Sequence, residues 1–161
     1  MAPDEPDLPE GSDDEKVLLL QWLNCLRGAV IRNTEGLDDT QARWTPDGKL
    51  ISLLGIVCHL TNVEYRWIEG GFGGVEVTRS EREFHPRSAI GLDEAVSAYR
   101  QRAAATDDMV RSLAITRHSG RESWAEGHDL RWVVLHLINE TARHAGHADA
   151  TRELLDGVTG E

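Results

Sequence analysis

Apolar residues recur three and four positions apart in four long segments of the chain, and polar or glycine-rich stretches separate these segments. Such spacing predicts helices that each bury one face. Ser52 and Asp129 are suitable N-caps for the second and fourth segments, and Gly157 is a suitable stop for the last. Period-two alternation is absent from the sequence. The pattern therefore predicts an all-α four-helix bundle with helices at about residues 13–35, 52–69, 92–113 and 129–156.

The ends and the cysteines refine this prediction. Residues 1–12, MAPDEPDLPEGS, combine proline and acid with little to bury, so we expect a disordered acidic tail before one bundle domain of residues 13–161. No basic-then-apolar leader is present, and no apolar run reaches the roughly 20 residues that span a bilayer. Cys25 and Cys58 lie in apolar helical stretches, which favours buried thiols in a reducing cytoplasm over a disulfide.

The charge balance restricts the partners. With 28 acidic and 17 basic residues, the formal net charge is −11. Phosphate backbones and anionic membrane surfaces would be repelled by most of such a surface, so neither nucleic acid nor a membrane is an expected partner. A small-molecule ligand is the expectation that remains.

The fourth predicted helix carries a row of polar residues that a bundle helix does not need for folding. His136, Glu140, His144 and His147 lie at offsets of 0, 4, 8 and 11, which return to one helix face. Polar groups that face a core must be satisfied by a partner. A polar seam or a dimer face is one explanation of the row, and a metal site is another.

Helix geometry limits how such a row can bind one ion. Residues four apart are about 6 Å apart along the axis, whereas residues eight apart are about 12 Å apart, too far for one ion. A single ion would therefore take an adjacent pair and a third ligand from another helix. His59 is the only histidine in the middle of another predicted helix. Spacing leaves three pairs open: His136/Glu140, Glu140/His144 and His144/His147.

Two segments resemble a known family. They are SLLGIVCHLTNVEYRWIEGGFGG around His59 and LRWVVLHLINETARHAGHADATRELLDGVTG near the C-terminus. Over about residues 13–160 the chain resembles the DinB/YfiT superfamily of four-helix metal-binding proteins, in particular an actinobacterial-type subfamily related to mycothiol-dependent enzymes. The first segment matches the family's single histidine on its second helix. The second matches its fourth-helix motif, normally two histidines four apart followed by Arg-Gly-Gln.

The resemblance implies a specific ligand set. Glu140 takes the place of the first histidine of the fourth-helix motif and His144 that of the second, so the implied metal ligands are His59, Glu140 and His144. The tripeptide Ala-Gly-His stands where Arg-Gly-Gln is usual. The chain thus replaces one histidine by a carboxylate, and it is similar in this respect to the mycothiol-dependent maleylpyruvate isomerase branch.

Two imidazoles, a carboxylate and one open position are typical of catalytic zinc sites, although nickel, iron or manganese accept the same donors. The resemblance implies thiol transfer or thiol-assisted isomerisation in a homodimer, with a low-molecular-weight thiol such as mycothiol as cosubstrate. His147 is then the candidate general base, and His136 the candidate to hydrogen-bond a metal ligand. The alternatives are a hydrolase or lyase that uses metal-bound water, and a non-catalytic stress-related metal-binding protein.

Overall fold

A computed structural model describes residues 8–158 of the chain. The four long helices are α1 (Glu15–Arg32), α2 (Leu53–Glu64), α3 (Leu92–Ser112) and α4 (Leu130–Asp156). Within the described residues there is no β-strand, only an isolated bridge between His118 and Asp129. This confirms the predicted all-α bundle. No helix of the same stretch is long and apolar enough to cross a membrane.

Shorter elements complete the chain. α2 continues without a break through a π-helical turn, Tyr65–Glu69, and a last short turn, Gly70–Phe72. A four-residue helix, Asp39–Ala42, follows α1, and a 3₁₀ turn, Glu81–Glu83, interrupts the loop before α3. Of the predicted acidic tail, residues 1–7 lie outside the described residues, and residues 8–12 form neither helix nor strand. Disorder of this tail stays a prediction.

Local sequence signals set the helix ends. Asp14 accepts hydrogen bonds from the backbone amides of Lys16 and Val17 and so caps α1, which begins at Glu15. Ser52 and Asp129 cap α2 and α4 as predicted. Gly157 ends α4 in the left-handed conformation, with φ of 80°, which glycine adopts without a steric penalty.

The bundle packs α1 along α4, and α2 lies against both α3 and α4. One apolar cluster surrounds Leu54, Ile56 and Tyr99, and a second surrounds Leu23 and Leu137. Both clusters are formed by apolar side chains spaced three and four residues apart, as the periodicity predicts. Cys25 and Cys58 are free thiols and only half-buried, less deeply than expected from the sequence.

A buried ionic network joins α1, α2 and α3. Arg27 of α1 donates to both carboxylate oxygens of Glu64 of α2, at 2.8 and 2.7 Å, and to Asp107 of α3 at 2.7 Å. Burial alone would lower the pKa of Arg27, but the two carboxylates outweigh it and raise that pKa. The network links α1, α2 and α3, and every charge in it has a partner.

Candidate metal centre

His59 of α2 meets Glu140 and His144 of α4. One ligand atom from each side chain lies within 4.8 Å of the others. Nε2 of His59 is 3.3 Å from Oε1 of Glu140, and Nε2 of His144 is 3.7 Å from the same oxygen. Of the three pairs that spacing leaves open, the fold therefore brings Glu140/His144 to His59. This is also the set that the resemblance implies.

The cluster lies at the boundary between the bundle interior and solvent. The side chain of His59 is 4% exposed, whereas those of Glu140 and His144 are 20% and 15% exposed. The α2 side of the cluster is therefore buried, and the α4 side is partly exposed to solvent.

The protonation states of His144 and Glu140 at neutral pH suit metal binding. Burial, followed by the neighbouring imidazole of His59, lowers the pKa of His144 to about 4, so the His144 imidazole is neutral. Burial would raise the pKa of Glu140, but the neighbouring imidazoles of His59 and His144 lower it below its ordinary value. A metal ion needs a neutral imidazole and an ionised carboxylate, and both forms are present without loss of a proton.

The donor atoms also suit a divalent ion. Two imidazoles and one carboxylate are the donors found around catalytic zinc, and three protein ligands leave a position for a substrate. In addition, Nδ1 of His144 is buried without a hydrogen-bond partner among the described residues. A buried imidazole whose nitrogens are poorly satisfied by protein groups is typical of a place for another ligand.

Glu83 is a buried carboxylate at this site that the sequence does not reveal. It ends the 3₁₀ turn and is 8% exposed, and its Oε1 lies 2.9 Å from Nδ1 of His59. Arg66, from the π-helical turn of α2, donates to both oxygens of Glu83, with Nη2 at 3.0 Å from Oε1. Glu76 and Glu81 occupy the same polar loop, and no local signal distinguishes Glu83 from them.

A glycine allows this loop to reach α2. An added Cβ at Gly55, one turn before His59, would stand only 2.6 Å from the carbonyl oxygen of Phe84. The Phe84 ring in turn stacks on the His59 ring at a centroid distance of 4.5 Å. Close backbone approach at Gly55 therefore places both Glu83 and Phe84 against His59.

His136 lies one turn before Glu140 and does not join the convergent group. Its ring packs on Trp67 at 4.4 Å and is parallel to Trp132 at 5.4 Å, and burial lowers its pKa. The π-helical turn that contains Trp67 holds one residue more than an α turn, which rotates this side chain relative to His59. A hydrogen bond from His136 to a metal ligand stays a prediction.

His147 lies on the other side of the cluster, one turn after His144. The two rings are 6.4 Å apart, and Nε2 of His147 is buried without a partner among the described residues. It lies beside the cluster but is not one of the three convergent side chains. Its role as a base stays a prediction.

No curated protein matches the chain. The model of one family, described as mycothiol-S-transferase, matches residues 18–157, which include all four bundle helices except the first residues of α1. That match also confirms the DinB/YfiT-like relation expected from the sequence. The chain belongs to the mycothiol-S-transferase family.

Proposed function

We propose that this protein is a divalent-metal-dependent enzyme that transfers a low-molecular-weight thiol, mycothiol foremost, to a small electrophilic molecule. The observation that carries the proposal is the convergence of His59, Glu140 and His144 within 4.8 Å at an edge that solvent reaches. The family match supports the thiol. Zinc is the first candidate for the ion, and nickel, iron and manganese take the same donors.

The ion would be held by Nε2 of His59, the carboxylate of Glu140 and an imidazole nitrogen of His144. A divalent ion at such a site acts as a Lewis acid that lowers the pKa of a thiol and so favours thiolate at neutral pH. His147 would take up the thiol proton, because its buried Nε2 has no other partner among the described residues. The thiolate lone pair then forms a C–S bond, and the leaving group departs with the electrons of the bond that breaks.

Elemental analysis tests the metal. We expect purified protein to carry about one equivalent of a divalent metal and His144→Ala to lose it, because two remaining side chains grip an ion weakly. His118→Ala is the matched control, since His118 is an exposed loop histidine. Equal metal content in all three proteins would overturn the ligand assignment.

A cosubstrate assay tests the thiol. The metal-loaded protein is given a nitroaryl chloride, which becomes a coloured thioether when chloride is displaced, with and without mycothiol. We expect turnover only with the thiol. Full consumption of substrate without any thiol would overturn thiol transfer in favour of a hydrolase or lyase. Metal binding without turnover of any electrophile would favour the non-catalytic alternative.

The setting of the protein is part of the same proposal. Free thiols at Cys25 and Cys58 suit the reducing cytoplasm, where a thiol cosubstrate stays reduced. A homodimer that binds no nucleic acid stays a prediction. Light scattering of the full chain at two concentrations, with and without duplex DNA, measures both properties.

A further inference from the structure

His59 lies between two carboxylates, one at each ring nitrogen. Oε1 of Glu83 is 2.9 Å from Nδ1, and Oε1 of Glu140 is 3.3 Å from Nε2. A neutral imidazole carries its proton on one nitrogen and offers a lone pair on the other. Only a ring protonated at Nδ1 presents its Nε2 lone pair to the space shared with Glu140 and His144.

The two carboxylates are not equivalent partners. Glu83 is closer to the ring, and its side chain is 5% exposed against 20% for Glu140. Arg66 donates to both oxygens of Glu83 and is itself only 5% exposed, so the carboxylate is fixed in position and its negative charge is balanced. An ionised carboxylate can only accept a hydrogen bond, and it therefore requires the proton on Nδ1.

We propose that Glu83, anchored by Arg66, is a positioning residue that accepts the Nδ1–H of His59 and thereby leaves Nε2 free to bind a metal ion. Metal binding at Nε2 rests on the proposed function, whereas the protonation of Nδ1 does not. Imidazole ligands of metals commonly donate their other nitrogen to a carboxylate, and loss of that partner weakens metal binding roughly 10- to 100-fold. The substrate does not touch Glu83 in this role.

Glu83→Gln separates positioning from mere packing. The amide keeps the size of the side chain but replaces one acceptor oxygen by an NH₂ group. If that group faces Nδ1, it forces the proton onto Nε2. If it faces Arg66, it meets a second donor, and the anchor is lost. Glu81→Gln is the matched control, because Glu81 begins the same 3₁₀ turn but is exposed.

The first measurement uses chelator-treated protein, so it does not depend on any metal. Long-range ¹H–¹⁵N correlation spectra show which ring nitrogen of His59 is protonated. We expect Nδ1 to be protonated and Nε2 unprotonated in the natural protein and in Glu81→Gln, and we expect Glu83→Gln to lose that state. An unprotonated Nδ1 in the natural protein would overturn the proposal, whether or not the protein binds metal.

The second measurement is the Zn²⁺ affinity, obtained by competition with a chromophoric chelator. We expect a 10- to 100-fold weaker affinity for Glu83→Gln and an unchanged one for Glu81→Gln. Arg66→Lys replaces the two-pronged donor by a point charge, so its Zn²⁺ affinity should lie between those of the two glutamine variants. This variant replaces Glu83→Gln in the experiment if Glu83→Gln does not fold. Affinities within twofold of each other in all variants would refute positioning. A natural protein that binds no Zn²⁺ but keeps Nδ1 protonated would refute the proposed function alone.

Discussion

Replacing Gly55 by alanine should destabilise the protein, although alanine is the better helix former. The added Cβ would stand 2.6 Å from the carbonyl oxygen of Phe84 and 2.8 Å from Cγ2 of Ile51. Ordinary contacts of a Cβ begin at about 3.4 Å, so the carbonyl would have to retreat by nearly 1 Å. The Ile51 side chain can rotate away, whereas the backbone carbonyl can move only with its loop.

The magnitude follows from two opposing contributions. Overpacking of this kind costs about 1–3 kcal/mol, and the exchange of glycine for alanine inside a helix returns up to about 1 kcal/mol. We therefore expect Gly55→Ala to lower the free energy of unfolding by about 1–2 kcal/mol. Because Phe84 directly follows Glu83, the displaced loop should also weaken the contact between Glu83 and His59.

Urea denaturation followed by circular dichroism measures this difference. Gly146→Ala is the matched control, since Gly146 lies in α4 and an added Cβ there meets nothing within 4 Å. It should gain up to about 1 kcal/mol from helix propensity alone. If Gly55→Ala were as stable as Gly146→Ala, the close approach of the loop to α2 would be refuted.

Three further predictions address charge and metal. Arg27→Met should cost about 3–5 kcal/mol in urea denaturation because it leaves buried Glu64 without its cation, whereas loss of Arg131, whose ion pair with Glu15 lies at the surface, should cost much less; equal costs would contradict the buried network. In metal-free protein, the pKa of His144 is about 4 in the folded state and about 6.5 in the unfolded chain. As the pH falls below about 6.5, the unfolded chain therefore binds a proton at His144 before the folded protein does. The stability of the natural protein relative to His144→Gln should therefore fall by about 1–2 kcal/mol between pH 7 and pH 4, a figure discounted for partial solvent access, and a constant difference would refute the shift. Zn²⁺ at a hundredfold excess over its dissociation constant should add about 2.7 kcal/mol to the free energy of unfolding, and a chelator should remove this gain. A melting temperature that changes with neither Zn²⁺ nor the chelator would count against the site.

The four long helices could be predicted because each is amphipathic over several turns, and α1, α2 and α4 also begin at a side-chain cap. Ser52, Asp129 and Gly157 fulfil the roles that their residue types predict. The π-helical turn could not be predicted, since the segment YRWIE is equally compatible with an α-helix. Its extra residue is set by packing against the loops and α4, which is tertiary information.

The candidate site was only partly accessible from the sequence. Helical spacing placed Glu140 and His144 on one face, but the register of α2 against α4 decides which pair meets His59, and no local pattern encodes that register. The resemblance to a known family implied the pair Glu140/His144, which helical spacing alone does not select. Neither helical spacing nor the resemblance pointed to Glu83, because it lies in a loop without periodicity, 24 residues along the chain from His59.

The two nitrogens of His59 divide the site into an inner and an outer half. Glu83 and Arg66 form the inner half, with side chains only 5% exposed, and their paired charges hold the ring. Glu140 and His144 form the outer half, at 20% and 15% exposed. The buried inner half fixes the direction of one lone pair, and solvent reaches the cluster at the outer half. We therefore expect a ligand that joins the cluster to approach from the α4 side and to meet Glu140 and His144 before His59.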